Sequence, residues 1–525
     1  MSLLHNFATV GAATLASRVL GFLRDATLAA VVGTGPVADA FVVAFRLPNL
    51  FRRLFAEGAF NSAFVPLFGR TVEERGEDGA RRFAGEVAAV LFWTLLGLTA
   101  VAQIAMPAVV WVLAPGFLSD PAKFDLTVLM SRIAFPYLLF MSLLAFVGGI
   151  LNTYQRFAAA AFAPVMLNVV MVAVLAVVAV VGVPDDVALG AILAAGVALA
   201  GVIQLLFVAA DLRRLGFSIP ILRPRLTRSV RRLLILGLPG VVAGGITQIN
   251  IAVGQIIASM QASANALLYY ADRLYQLPLG VIGIAIGVVL LPSLTRQLRS
   301  GHEAEFQRTF NNALEFALAL TLPASVALAV IPHEIVAVLF QRGAFDAAAV
   351  DGTAAALAAF SFGLPSFVLI KVFSPGYFAR EDTRTPMWFA GVGAAVNVAL
   401  SLALFPVLQH VGIALATTIA GWVNAALLGI VLWRRGHFVP DGTVLRRTSL
   451  LVLASLVMGV VVHFGALAAE HWLTAPALAV RFLTLAGLVV LGMGGFVVFV
   501  QITGATDLVG RFRTLRRRQG TPRDL

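Results

Sequence analysis

Cysteine is absent from the 525 residues, which excludes disulfides, thiolate metal sites and cysteine nucleophiles. Charge is scarce, since charged residues make up 12% of the chain, about half the share of a soluble domain. Lysine occurs only at Lys123 and Lys371, so the basic residues are almost all arginines. No zinc-protease motif, paired catalytic carboxylates or nucleophile elbow is present, and the seven histidines lack ligand spacing. The sequence therefore indicates no enzyme chemistry, no metal and no cofactor.

Apolar residues dominate what remains. They make up 60% of the chain, with a mean hydropathy of +0.94, against about 45–50% in soluble domains. The net charge of +12 could suggest nucleic acid, but the arginines separate apolar runs and form no basic stripe with interleaved aromatics. We therefore expect an all-α polytopic membrane protein that does not bind nucleic acid.

About fourteen transmembrane helices are predicted from apolar runs of about 20 residues or more, bounded by charge, proline or glycine. The runs cover residues 6–32, 37–69, 84–114, 124–151, 160–182, 187–209, 231–259, 264–295, 305–330, 350–378, 385–405, 411–433, 447–468 and 479–501.

Arginines are concentrated in alternate loops, which are expected to be cytoplasmic because basic residues are retained on that side. Both termini are then expected in the cytoplasm, which requires an even number of helices, and fourteen satisfies this. These loops contain Arg70, Arg75, Arg81 and Arg82; Arg156; Arg213 through Arg232; Arg296, Arg299 and Arg308; Arg380 and Arg384; and Arg434, Arg435, Arg446 and Arg447.

An internal repeat is predicted because Pro136 and Asn168 match Pro365 and Asn397 at equal offset. Two six-helix lobes entering the membrane from the same side would be parallel repeats, as in transporters, although chance similarity between apolar helices is the alternative. The predicted divisions are an N-lobe at 1–210, a basic interfacial linker at 211–232, a C-lobe at 233–436, two extra helices at 437–502 and a basic cytoplasmic tail at 503–525.

The linker combines basic, apolar and proline residues, and we expect an interfacial helix on the cytoplasmic surface. The tail is suited to anionic headgroups, but a simple positive stop for the last helix explains it equally well.

Charged residues inside the predicted spans are the candidate functional groups, because a charge in hydrocarbon is costly and needs a partner. Arg53 and Glu57 are spaced to pair on one helix face. The set comprises Arg18, Arg24 and Asp25 in helix 1; Asp39, Arg46, Arg52, Arg53 and Glu57 in helix 2; Asp272 and Arg273 in helix 8; and Lys371 in helix 10.

Arginines outnumber carboxylates in this set, which favours a cavity that receives an anionic substrate. A diphosphate fits, because guanidinium groups bind phosphate oxygens in pairs and stay charged at physiological pH. The alternative is a purely structural network of ion pairs.

Long motifs resemble a known family. The run SRVLGFLRDATLAAVVGTGPVADAFVVAFRLPNLFRRLFAEGAFNSAFVPLF is similar to the N-terminal signature of the MurJ (MviN) lipid II flippases of the MOP exporter superfamily. Similarity continues through FPYLLFMSLLAFVGGILNTYQRF, YYADRLYQLPLGVIGIAIGVVLLPSL and LIKVFSPGYFAREDTRTP, and covers nearly the whole chain.

The resemblance implies a flippase in the bacterial inner membrane. It would move undecaprenyl-diphosphate-linked peptidoglycan precursor to the periplasmic leaflet by alternating access. Expected partners are lipid II, membrane lipids and the machinery of cell-wall synthesis and division, and the last two helices would form a groove for the lipid tail. By resemblance Arg18, Arg24, Arg52 and Arg273 hold the diphosphate; Asp25, Asp39, Arg53, Glu57, Asp272 and Lys371 are candidate gate or charge partners.

One departure concerns energy coupling. Some family members resemble sodium-dependent carriers with carboxylates in helices 7 and 11, whereas this chain offers neutral side chains there. The candidate cation residues are Gln248, Asn250, Asn397, Ser401 and Thr417. Membrane potential is the alternative driving force.

Two other functions compete with the flippase. The first is another MOP-type exporter, either a polysaccharide-lipid flippase or a cation-coupled drug antiporter; the antiporter should use membrane acids where this chain has arginines. The second is a membrane enzyme acting on polyprenyl substrates, which should need clustered carboxylates or a metal site.

Overall fold

The computed structural model describes residues 3–52 and 59–504; of residues 3–8, 59, 62, 239–244, 246, 247, 281 and 283–289 it describes the backbone alone. Within these residues the chain is helical and contains no strand, which confirms the predicted all-α class. The helices are α1 (Leu3–Val32), α2 (Pro36–Arg52), α3 (Ala59–Leu113), α4 (Pro121–Ala134), α5 (Tyr137–Thr153), α6 (Ala158–Val181), α7 (Asp186–Arg214), α8 (Arg228–Ala258), α9 (Ala264–Arg299), α10 (Glu303–Val330), α11 (Pro332–Phe340), α12 (Ala347–Ser361), α13 (Leu364–Phe378), α14 (Arg384–Arg434), α15 (Gly442–Ala468), α16 (Glu470–Leu473) and α17 (Leu478–Thr503).

Nine helical segments within the described part of the chain are long and apolar enough to cross a membrane. Helices α1 and α2, which carry the arginines of interest, are not among the nine, since α1 contains three charged residues and α2 is only 17 residues long. The predicted number of fourteen crossings therefore stays a prediction.

Two long helices are each interrupted by one residue with a positive φ angle. In α3 the break is at Gly76 (φ 65°), and in α14 it is at Gln409 (φ 51°). Left-handed backbone suits glycine and strains a side chain such as that of Gln409. Each break falls between two predicted spans, so each long helix is a pair of helices joined by a sharp turn.

The chain forms two compact units. Unit 1 comprises Met1–Ala266 with Arg342–Asp346, and unit 2 comprises Leu267–Gln341 with Ala347–Leu525. The predicted lobe boundaries stay a prediction.

Unit 1 is built from α1 packed on α6, α6 on α7, α5 on α3 and α7, α2 on α4, and α8 on α3. Aromatic rings fill the contact between α3 and α5. The ring of Phe64 is fully buried, with centroids 5.1 Å from Phe60, 5.3 Å from Phe68 and 5.2 Å from Phe146. These rings attach α5 to the first half of α3 through apolar burial and favourable ring geometry.

Unit 2 is built around α10, which packs on α13 and α15, while α17 packs on α15. The Arg447 guanidinium of α15 lies 3.0 Å from the Glu315 carboxylate of α10, whose side chain is 1% exposed. Arg481 of α17 donates to the Ala337 carbonyl of α11 at 3.0 Å. The two C-terminal helices are thus attached to unit 2 by polar bonds as well as apolar contact.

The linker is not the helix that we expected. Helix α7 ends at Arg214 and is followed by a turn that contains Gly216 (φ 76°), and residues 217–227 form no helix before α8 begins. Pro220 and Pro224 explain the difference, because each removes a backbone donor and excludes regular helix. The predicted basic tail lies largely outside the described residues, from residue 505 onward.

The linker instead lies against α3. The Arg81 guanidinium donates to the Gly216 carbonyl at 3.3 Å and stacks on the Phe217 ring at 5.8 Å. The Thr227 hydroxyl, which caps α8, donates to the Glu86 carboxylate at 2.8 Å. Side chains of α3 therefore set where α8 starts.

A polar turn joins α13 to α14. The Asp382 carboxylate accepts bonds from the Thr385 amide at 3.0 Å, the Thr385 hydroxyl at 2.6 Å and the Arg435 guanidinium at 2.8 Å. Burial raises the pKa of this carboxyl, but the bonds from Thr385 and Arg435 together lower it by more, and the pKa falls to about 2.

Replacing Asp382 by Asn should lower stability at neutral pH and flatten the acid response. A carboxyl whose pKa falls on folding stabilises the protein above its unfolded pKa, and this contribution disappears as the pH drops through the folded value. Wild type should therefore lose at most about 2 kcal/mol between about pH 4 and about pH 2 from this group. Thermal unfolding in detergent against pH measures it.

Asp186→Asn is the control, because Asp186 is an exposed aspartate at the start of α7. Equal acid sensitivity in wild type and Asp382→Asn would show that the Asp382 interactions contribute nothing to stability.

Candidate functional site

Arg24 is the centre of a buried polar cluster on α1. Its Nη2 and Nε atoms lie 2.7 and 3.0 Å from the Asp25 carboxylate, and its Nη1 lies 3.0 Å from the Asn168 side-chain oxygen. The Asn168 amide in turn donates to the Ser17 carbonyl at 2.9 Å. Arg24 is 9% exposed and Asp25 2% exposed, so one guanidinium joins α1 to α6 within unit 1. Asp25, a candidate charge partner from the sequence, therefore lies in direct contact with Arg24.

Arg18 lies about 9 Å before Arg24 along the same helix axis, by the rise of six residues. It is half-buried, and its guanidinium makes no hydrogen bond or ion pair with any residue that the structure describes. Helix α1 thus carries one arginine with a fixed partner and one whose donors are available.

Asp39 is fully buried in α2 and accepts three bonds inside unit 1. The Lys123 ammonium lies 2.5 Å from its carboxylate, and the backbone amides of Ser263 and Ala266 donate to it at 2.9 Å each. Ser263 and Ala266 flank the start of α9, so this carboxylate caps a helix that begins more than 200 residues later. A carboxylate suits that position because the first amides of a helix have no intrahelical acceptor.

Lys123 is a partner that the sequence did not reveal. It lies in α4, where its ammonium pairs with Asp39 and lies 4.0 Å from the centre of the Phe117 ring. Its rarity was the available signal, since it is one of two lysines in the chain. Nothing in the local pattern links residue 123 to residue 39.

The turn at Gly116 packs closely against the residues that follow α8. The Gly116 amide donates to the Ser259 hydroxyl at 3.1 Å. A side chain at Gly116 would collide with the backbone of Ser259 and Met260, so glycine is required for this approach. The turn Pro115–Ser119 therefore lies directly on the end of α8.

The remaining predicted residues of helix 2 are only partly described. The Arg52 Nε atom donates to the Asn49 side-chain oxygen at 3.1 Å, at the end of α2, and Arg52 is half-buried. Arg53 and Glu57, the predicted ion pair, lie outside the described residues.

In unit 2, Arg273 and Asp272 are neighbours on α9. The Arg273 guanidinium lies 4.8 Å from the centre of the Tyr269 ring, and the Asp272 carboxylate accepts a hydrogen bond from Gln276. Lys371 is exposed on α13. Stacking on the Tyr269 ring restricts the orientation of the Arg273 guanidinium.

The candidate cation residues belong to both units. In unit 1, Gln248 is buried and Asn250 half-buried; in unit 2, Asn397 and Ser401 are buried. The Thr417 hydroxyl donates to the Asn397 side-chain oxygen at 3.2 Å. The described residues contain no group of three or more His, Asp and Glu that could hold a metal ion.

Comparisons with known proteins agree with the resemblance. The family model described as Lipid II flippase MurJ matches residues 28–483. A protein from Rhizobium meliloti (strain 1021), named probable lipid II flippase MurJ, is 52% identical over 513 residues, covering 96% of this chain and 95% of its own.

Two solved structures share the fold. Lipid II flippase MurJ in an inward closed conformation gives a TM-score of 0.79 at 23% identity, covering 94% of this chain and 98% of its own. An inward-facing multidrug resistance transporter of the MATE family, in the MOP superfamily, gives 0.65 at 17% identity, covering 80% and 94%. At these identities the likeness concerns the fold alone.

Replacing Lys123 by Met should strongly destabilise the protein, because it leaves the Asp39 carboxylate buried without its counter-charge. Removing one partner of a buried pair costs about 3–5 kcal/mol, whereas replacing both costs less. Thermal unfolding in detergent should show a large loss for Lys123→Met and a smaller one for the double variant Asp39→Asn/Lys123→Met.

Arg214→Met serves as the control, since Arg214 is exposed at the end of α7. A Lys123→Met loss no larger than that of Arg214→Met would mean that the ion pair does not stabilise the fold.

Proposed function

The chain belongs to the lipid II flippase MurJ family, and we propose that it carries lipid II from the cytoplasmic to the periplasmic leaflet of the bacterial inner membrane. It is a polytopic membrane protein and a transporter, not an enzyme, since the family consists of flippases. The polyprenyl enzyme considered from the sequence is therefore excluded. The observation that carries the proposal is the pair of arginines on α1. Arg24 is buried and bonded to Asp25 and Asn168, whereas Arg18 makes no side-chain bond with the described residues.

The diphosphate of the substrate is assigned to Arg18, Arg24, Arg52 and Arg273. Arg18 has donors free among the described residues, and Arg273 is oriented by the Tyr269 ring. Guanidinium groups suit this task because they bind phosphate oxygens in pairs and do not deprotonate.

Arg24 has a second task in this proposal. Its bonds to Asp25 and Asn168 hold the guanidinium in place before the anion arrives. An arriving diphosphate competes with the Asp25 carboxylate for the same Arg24 donors. The diphosphate binds when it replaces Asp25 at the guanidinium, and it is released when Asp25 returns. This balance makes Asp25 a charge partner whose neutralisation should tighten diphosphate binding.

Asp39 is assigned to gating. Its carboxylate holds the start of α9 through two amides while Lys123 neutralises it. These bonds close one end of α2 against the α8–α9 turn, and breaking them would release that contact. Alternating access between two repeat-related lobes requires contacts that form in one state and break in the other.

The driving force that we favour is membrane potential. Asn397, Ser401 and Thr417 supply amide and hydroxyl oxygens only, and a hard cation is better held by carboxylates. Potential supplies about 2.3 kcal/mol per charge for each 100 mV, which suits the transfer of a charged headgroup.

Reconstituted flipping tests the substrate assignment. Arg18→Ala and Arg273→Ala should reduce lipid II translocation in proteoliposomes by at least about tenfold, because losing one charge-assisted bond costs about 1.5–3 kcal/mol. Arg24→Ala should do the same but leaves Asp25 buried and unpaired, so Arg24→Ala/Asp25→Asn separates binding from folding. The exposed Arg214→Ala should flip normally.

Unchanged translocation in the folded Arg18 and Arg273 variants would contradict the diphosphate assignment. Stabilisation by a cationic dye in place of lipid II would indicate the drug antiporter instead. In the same vesicles, flipping should respond to an imposed potential and not to a sodium gradient.

Orientation can be tested directly because the chain has no cysteine. Arg223→Cys in the linker should be protected from a membrane-impermeant maleimide in intact spheroplasts, whereas Asp186→Cys at the start of α7 should react. Cytoplasmic termini follow from the same topology. Labelling of the linker cysteine from outside would reverse the proposed orientation.

A further inference from the structure

Two prolines in unit 1 each deprive a carbonyl of its helical partner. Pro107 lies inside α3, and Pro136 lies between α4 and α5. Proline has no backbone N–H, so the carbonyl four residues earlier receives no intrahelical hydrogen bond. The affected carbonyls are those of Gln103 and Arg132.

Each of these carbonyls is bonded by the side chain of the other residue. The Gln103 side-chain amide donates to the Arg132 carbonyl at 2.7 Å, and the Arg132 Nε donates to the Gln103 carbonyl at 3.0 Å. The two bonds are reciprocal, so each residue with an open carbonyl supplies the side-chain donor for the carbonyl of the other, on the neighbouring helix. We call these two residues the proline brace.

Unit 2 contains the corresponding arrangement at the repeat-related proline. Pro365, which matches Pro136, opens the carbonyl of Ser361. The Ser325 hydroxyl of α10 donates to that carbonyl at 2.6 Å. In both units, therefore, the bent helix is held by a side chain of the long helix that precedes it, with different chemistry in each.

The choice of arginine indicates that the brace is required. Arg132 is exposed, and two apolar residues close in sequence to its partner Gln103 on α3, Val101 and Ile104, are 62% and 82% exposed. A charge on a lipid-facing surface is costly, even when a long side chain reaches toward the interface. The Arg132 side chain supplies the donor that the Gln103 carbonyl lacks in the helix.

We propose that Gln103 and Arg132 are positioning residues that lock the α4–α5 bend onto α3, so that unit 1 moves without flexing at Pro136 during translocation. Ser325 does the same at Pro365 in unit 2. The rigidity of the bend is independent of the substrate; only its effect on flipping rests on the proposed function.

A rescue experiment tests the brace. Gln103→Leu should lower Tm by roughly 2–4 °C, because the Arg132 carbonyl is left without a donor. Adding Pro136→Ala restores the backbone N–H that bonds this carbonyl, so Gln103→Leu should cost little in that background. Arg132→Leu and Pro107→Ala form the reciprocal cycle.

The bend itself can be measured by electron paramagnetic resonance. Spin labels at Asp125→Cys and Gln155→Cys, both exposed, span the α4–α5 bend in a chain without other cysteines. Wild type should give one narrow distance distribution, Gln103→Leu a broad one, and Gln103→Leu/Pro136→Ala a narrow one again, whatever its centre.

Gln204 provides the matched control. Its side-chain amide also donates to a carbonyl on a neighbouring helix, that of Ala163 at 2.7 Å, but the residue four positions later is Leu167 and not a proline. Gln204→Leu should therefore destabilise the protein with no rescue by Pro164→Ala.

Absence of rescue by Pro136→Ala, or a narrow distribution in Gln103→Leu, would overturn the proposal. Flipping should fall several-fold in Gln103→Leu and recover in the double variant. If wild type does not flip lipid II, the proposed function fails while the spin-label result still decides the brace.

Discussion

Hydrocarbon offers no hydrogen bonds, so every charge and every open backbone carbonyl within an apolar helix bundle must be satisfied by the protein itself. The features of this structure that matter most are answers to that constraint. The Asp39 carboxylate is bound by Lys123 and two backbone amides, and the Arg24 guanidinium is bound by Asp25 and Asn168. The two carbonyls that Pro107 and Pro136 leave without a helical donor accept bonds from the side chains of Arg132 and Gln103. Each answer also joins two helices, so polar satisfaction and architecture are the same set of contacts.

These contacts differ in how easily they could change. The brace carbonyls are neutral and are bonded by side chains with no competing ligand in the flippase mechanism, which suits a permanent connection. The Arg24 cluster instead uses a guanidinium that an anion can claim, and the Asp39 cap uses a charge whose partners lie far along the chain. Under the proposed function, unit 1 thus combines fixed polar contacts with exchangeable ones, as a transporter that moves rigid parts around a binding site requires.

Each unit contains a carbonyl that is opened by a proline and bonded by a side chain of another helix. Pro136 and Pro365 occupy matching positions, and each opens a carbonyl that the preceding long helix satisfies, through Gln103 in one unit and Ser325 in the other. A proline within a helical stretch leaves the carbonyl four residues earlier without its backbone donor, so the same unsatisfied carbonyl occurs in both units. Its donor is free to differ, because any nearby donor suffices.

The sequence by itself determined the helical class, the positions of most helix ends and the unusual arginines, because hydrophobic runs, prolines and charges act locally. Its long motifs also indicated the family. Only the tertiary structure decided that Lys123 pairs with Asp39, that Asn168 bonds Arg24, that Gln103 and Arg132 exchange donors, and that the linker lies extended on α3. The partners in these contacts lie between 29 and 144 residues apart in the sequence, and the two members of the buried ion pair lie 84 residues apart. Only tertiary packing brings them within hydrogen-bond distance.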